Sequence, residues 1–202
     1  MKKGIIIVLV AIVLIIAFTM FKGVGAYNKI IASEEAVKAQ WAQVENTYQR
    51  RYDLVPNLVA TVQGEADFEK STLSAVVDAR SKMGGVVKID ADKLGDEATM
   101  KRFQESQATL GGALQRLMMV TENYPDLKSN QSFQDLRVQL EGAENRIAAE
   151  RRRYNETVRD YNTYIRQFPA NIIAGVAGAS PKVPFESVSG ASTAPTVKFN
   201  TK

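Results

Sequence analysis

From Gly4 to Phe21 the chain reads GIIIVLVAIVLIIAFTMF, without a charge, between Lys2-Lys3 and Lys22. At about 1.5 Å of rise per residue this run reaches about 27 Å, close to the shortest helix that crosses the hydrocarbon of a bilayer. It predicts a transmembrane helix, with residues 1–26 as membrane anchor and residues 4–21 in contact with lipid. The run is longer than the roughly 7 to 15 residues of a signal-peptide core, which favours retention. Val24-Gly25-Ala26 has the small residues of a cleavage site, so a chain processed before Tyr27 is the alternative. Lys2 and Lys3 set against Lys22 and Lys29 bias the N-terminus slightly inward. This reading gives a single-pass protein of the cell membrane with the bulk of the chain exported.

Beyond the anchor the period changes. Ile30, Val37, Trp41, Val44, Tyr48 and Tyr52 recur at helical spacing and predict a first helix from Tyr27 to about Asp53. Pro56 has no amide hydrogen and disfavours helical angles at Val55, so a turn is expected at Asp53-Leu54-Val55-Pro56. A second helix then runs to Met83, with a stripe at Val59, Val62, Ala66, Leu73 and Val76, and Gly84-Gly85 ends it. Met100, Phe103, Leu110, Leu114 and Leu117 mark a third helix from about Ala91 to Glu122, which holds the pair Gly111-Gly112. The fourth starts at Ser132 as N-cap and carries Phe133, Leu136, Leu140, Ala143, Ile147, Tyr154, Val158, Tyr161, Ile165 and Phe168, until Pro169 stops it. The fold class that follows is all-α: residues 27–169 form a long up-down antiparallel four-helix bundle on the N-terminal transmembrane helix. Residues 170–202, rich in Ala, Gly, Ser and Pro, read as a loosely ordered, flexible tail. Two weak extended motifs stand out in it, Pro181-Lys182-Val183-Pro184-Phe185 and Pro195-Thr196-Val197-Lys198-Phe199, for which strand-type docking onto a neighbour is the sharper alternative.

Composition narrows the chemistry. The formal charge of +4 invites nucleic acid, but removing Lys2, Lys3 and Lys22 from the 26 basic residues leaves 23 against 22 acidic ones, so the exported part is nearly neutral and no nucleic-acid partner is expected. Histidine and cysteine are absent, which removes thiol chemistry, the usual zinc, copper and haem sites and histidine acid/base catalysis. No cofactor is implied.

The ordered motifs resemble those of the LemA family of membrane-anchored bacterial helical proteins, over nearly the whole chain. The resemblance is carried by Tyr27-Asn28, by Trp41-Ala42-Gln43-Val44 leading to Arg50-Arg51-Tyr52-Asp53-Leu54-Val55-Pro56-Asn57-Leu58-Val59, and by Ala79-Arg80. It continues in Glu122-Asn123-Tyr124-Pro125-Asp126-Leu127-Lys128, Glu144-Asn145-Arg146-Ile147, Arg152-Arg153-Tyr154-Asn155, Tyr161-Asn162 and Phe168-Pro169. Phe68 stands before Glu69 where members often carry a histidine. The resemblance implies a LemA-like bundle on one membrane helix, with the short N-terminus outside, opposite to the lysine balance. It implies no reaction.

Extending the second helix's stripe brings Glu69 and Arg80 onto its apolar face, and Arg151 lies on that of the fourth helix. Buried charges are costly unless paired, so these three form a candidate buried ion pair that fixes helix register. The functional alternative is a polar site inside the bundle. On the last helix Arg152, Arg159 and Arg166 repeat every seven residues, and with Tyr154, Tyr161, Tyr164, Asn155 and Asn162 they form a candidate interface. The expected partners are the bilayer, further copies of the chain in a homo-oligomer, and an envelope protein. The function this reading favours is a noncatalytic membrane-anchored scaffold or interaction protein. A carboxylate-dependent hydrolase using Glu69 with Glu144 is one alternative, and needs two acids within about 5 to 10 Å in a cleft. An accessory regulator of a membrane protease or signalling kinase is the other.

Overall fold

A computed structural model describes residues 2–64, 68–83 and 88–186; within them the side chains of residues 2–8, 11, 13 and 15–20 lie outside the description. Every regular element among the described residues is helical: α1 (Lys2–Gln63), α2 (Lys70–Met83), a 3-10 turn (Ala91–Gly95), α3 (Glu97–Thr121), α4 (Pro125–Ser129), α5 (Gln131–Arg166) and α6 (Ala170–Ala177). Among the described residues no helix is long and apolar enough to cross a membrane. Most side chains of the run Gly4–Phe21, on which the anchor expectation rests, lie outside the description.

The expected turn at Pro56 does not form. α1 runs through it as one helix of 62 residues, with the proline exposed. An interior proline costs about 3 kcal/mol through one lost hydrogen bond and a ring clash. Val55, Leu58, Val59 and Val62 are all buried on the same face, and burying such side chains contributes about 1.5 to 3 kcal/mol each. Packing therefore outweighs the local preference, and the chain reverses between Gln63 and Lys70. α5 is capped not by Ser132 but by Asn130, whose side chain accepts from the Phe133 amide. α3 is capped by Asp96, which accepts from the Thr99 amide and hydroxyl; the residues before it make the 3-10 turn that buries Leu94.

α1 and α5 run antiparallel along each other, as the pairs Lys29 with Tyr164, Gln40 with Glu150 and Arg51 with Glu144 record. The core has two tiers. In the distal tier α1, α2, α3 and α5 meet through residues such as Leu58, Val76, Leu114 and Phe133, a four-helix cross-section closed by Leu127 of α4 and by Phe68. In the proximal tier α2 is absent, and its place is taken by the 3-10 turn and the segment 179–186, which adds Phe185 to Trp41, Phe103 and Tyr154.

The expectation of a flexible tail over residues 170–202 is thereby corrected for residues 170–186. Residues 170–177 are α6, whose Ala170 and Ala174 are buried. The small alanines let the helix lie close, so that Ile173 packs near Gly23 of α1. Gly178 ends α6 in the left-handed conformation, φ +69°, with its amide donating back to Ala174 and Gly175. Residues 187–202, including the motif at 195–199, lie outside the described residues.

Candidate functional site

Segment 179–186 runs along α5 in the opposite direction as a strap without helical structure, and two asparagines read its backbone. Asn162 donates from Nδ2 to the Lys182 carbonyl (2.8 Å) and accepts from the Lys182 amide (2.9 Å). Asn155 does the same at Phe185 (3.0 and 2.8 Å). The two lie seven positions apart, which puts both carboxamides on one face of α5, about 10 Å apart along the axis. Between them the Tyr154 hydroxyl donates to the Val183 carbonyl (3.2 Å), and the Val183 amide donates to the Leu94 carbonyl (2.9 Å). Beyond them Arg151 donates to the Glu186 carbonyl (2.9 Å) and the Glu186 amide to Gln104 (3.1 Å). Eight strap backbone groups are thus satisfied by the helices and the 3-10 turn.

Side chains add selectivity. Phe185 is buried in an aromatic layer, with ring centroids 5.8 Å from Trp41 and 5.4 Å from Tyr154. The Lys182 ammonium is buried against Glu34 (2.7 Å) and lies 5.8 Å from the Tyr161 ring centre. Pro184 is exposed, and the Pro181 carbonyl passes so close to Gly95 that an added Cβ would meet it at 3.0 Å. Burial pushes the Tyr161 phenol up to about 12, and the Tyr154 and Tyr48 phenols upward as well.

A polar layer separates the two core tiers. Arg51 is 3% exposed; it donates to Glu144 (2.8 Å) and to the Gln107 side-chain and backbone oxygens (2.6 and 3.1 Å), and lies over the Tyr48 ring. Gly111 lies beside it, where an added Cβ would sit in ordinary contact with Nη1, at 3.5 Å. A cleft of about 560 Å³ opens beside this layer. It is lined by Arg51, Lys101 and Arg151 against Glu105, Glu144 and Glu186, so its charge balances. Among the described residues no group of three or more acidic side chains is placed to hold a metal.

The expected ion pair is replaced by this layer. Glu69 is exposed at the head of α2, where the Ser71 hydroxyl donates to its carboxyl and holds it below the usual range. Arg80 lies over the Tyr52 ring (4.1 Å), and Arg151 over Phe185 (4.8 Å) at the strap. Glu69 is separated from the stripe of Val59 and Val62 by the end of α1 at Gln63, and helical phase is preserved only within one helix. Glu69 and Glu144, the pair a hydrolase would need, have different partners on different elements. Of the candidate interface, Arg152, Arg159 and Arg166 are exposed, whereas Tyr161 is 1% exposed and belongs to the core. Phe68, at the position of the family's frequent histidine, packs its ring at a tilt against Tyr124 (4.9 Å between centroids).

Arg51 and Gln107 were legible. Val37, Trp41, Val44, Tyr48, Arg51, Val55, Leu58 and Val62 alternate by three and four, as do Met100, Phe103, Gln107, Leu110, Leu114 and Leu117. A break at Pro56, which the local preference predicts, divides the first series between two elements.

The LemA family pattern matches residues 40–199. The chain is 30% identical to magnetosome proteins MamQ 1 and MamQ 2 of Paramagnetospirillum magneticum, over 75% of its own length and 61% of theirs. It is 25% identical to the protein LemA of Metamycoplasma hominis, over 80% of its own length and 69% of that protein's. It therefore spans about three fifths of the MamQ relatives.

Proposed function

Because the chain belongs to the LemA family, we propose that it is a noncatalytic helical scaffold of the bacterial envelope, held in the membrane by residues 4–21 with the bundle outside. The observation that supports this best is a collar of exposed apolar side chains at the end of the bundle where the Gly4–Phe21 run joins it. Phe168 is 81% and Val176 87% exposed, and Phe21, Val24, Tyr27 and Ile172 are also largely exposed. α6 packs against α1 at Gly23, so this collar lies at the level where a membrane helix enters the headgroup region. α1 has no joint between the run and the bundle, which makes the scaffold a stiff stalk.

Intact-mass analysis of the membrane fraction is expected to find the residues before Tyr27 retained, and a chain starting at Tyr27 overturns the anchor. A periplasm-dependent reporter fused after Lys202 tests the orientation. The exposed arginines 152, 159 and 166 support lateral association of copies, which the membrane concentrates in two dimensions. Sizing in mild detergent is expected to give an oligomer that Arg159→Glu with Arg166→Glu weakens.

A further inference from the structure

The strap motif occurs twice in the sequence, and the described residues form one socket for it. Gly178-Ala179-Ser180 directly precedes Pro181-Lys182-Val183-Pro184-Phe185, and Gly190-Ala191-Ser192 stands two residues, Thr193-Ala194, before Pro195-Thr196-Val197-Lys198-Phe199. Both are Pro-x-Val-x-Phe. We infer that residues 195–199 are a second occupant of the groove on α5, which the same chain can seat in place of residues 181–185.

The socket's demands can be checked one position at a time. Asn162 and Asn155 require an amide and a carbonyl at the second and fifth motif positions, and Thr196 and Phe199 both supply them, neither being proline. The third position donates its amide to Leu94 and accepts from Tyr154, and valine stands there in both motifs. The fifth inserts a ring beside Trp41 and Tyr154, and phenylalanine stands there in both. The fourth faces solvent at Pro184, so Lys198 is tolerated. Only the second side chain differs in a way the socket reads: Lys182 pairs with Glu34 (2.7 Å), and Thr196 cannot. The first motif is therefore preferred, and that one ion pair carries the difference.

The tether allows the exchange. Seating the second motif loops out fourteen further residues, and the entropy of closing a loop rises only slowly with its length. A segment on the same chain also competes at the high effective concentration of a short tether, which favours the chain's own second motif over another copy's.

The chain has no cysteine, so introduced ones report cleanly. Gln104 meets Glu186, the residue after the first motif, and Asn200 holds that place after the second. In the full chain, Gln104→Cys with Asn200→Cys is expected to form an intramolecular disulfide under mild oxidation. Lys182→Thr, which makes the two motifs equal at the position that separates them, should raise the rate severalfold, and Phe199→Ala should lower it severalfold. Phe185→Ala gives a second way to release the first motif, and far-UV circular dichroism reports whether each variant is folded. Rates indifferent to both Lys182 and Phe199 overturn the inference. So does a bridge found only between copies in a mixture of isotopically light and heavy protein. The test needs no membrane, so its failure leaves the scaffold proposal standing.

Discussion

Arg51, like Lys182, is a charge accepted into the core, and the two ends of its ion pair differ in burial. The arginine side chain is 4% exposed and the Glu144 side chain 45%. Truncating Glu144 leaves a buried guanidinium with only the Gln107 oxygens, and Glu144→Ala is expected to cost about 2 to 3 kcal/mol. Replacing both buried partners, Arg51→Met with Gln107→Leu, is expected to change stability by less than about 1 kcal/mol, because no stranded polar group remains. Urea midpoints of the single and double variants check this. Glu69→Gln, at an exposed carboxylate, should leave the midpoint unchanged. The buried phenols act at the other end of the pH scale. Tyr161 releases its proton near pH 12 when folded and near pH 10 when unfolded. Its folded pKa is raised, so the stability it lends is complete below about pH 10 and is lost as pH rises from there towards 12. Ultraviolet titration should show Tyr154 and Tyr161 ionising only together with unfolding.

At the scale of elements, α1 tolerates Pro56 because tertiary burial on one face outweighs a missing hydrogen bond on the other. Pro56→Ala restores the amide at an exposed position and is expected to raise stability by about 1 to 3 kcal/mol, read from the urea midpoint. The start of α5 makes an opposite case. Asn130→Ala removes the side-chain acceptor for the Phe133 amide and should cost about 1 kcal/mol, whereas Ser132→Ala should cost nothing measurable. α2 is short, and its shortness leaves a vacancy in the proximal tier that the C-terminal strap fills.

For the whole molecule, the strap is part of the core. Phe185→Ala combined with Phe199→Ala, which leaves neither ring to fill the pocket beside Trp41, is expected to lower stability by about 3 to 4 kcal/mol and to shift the emission of Trp41 to longer wavelength as water reaches the ring. The 3.6-residue period alone determined that the chain is helical, and it located α3, α5 and the apolar stripes of the bundle, Trp41 included, because burial of one helical face leaves a regular mark. The apolar run at the N-terminus, the missing histidine and cysteine and the LemA motifs were equally open to reading. The continuity of α1, the partner of Arg51 and the seat of the strap were decided only by tertiary structure. Each depends on a comparison between a local preference and the packing energy of residues distant in the chain: Pro56 against the distal core, Arg51 against Glu144 and Gln107, and a sequence poor in periodicity against two asparagines on another helix. An extended segment held by side-chain amides carries no period of its own, and so its order cannot be seen until the groove that supplies its hydrogen bonds has formed.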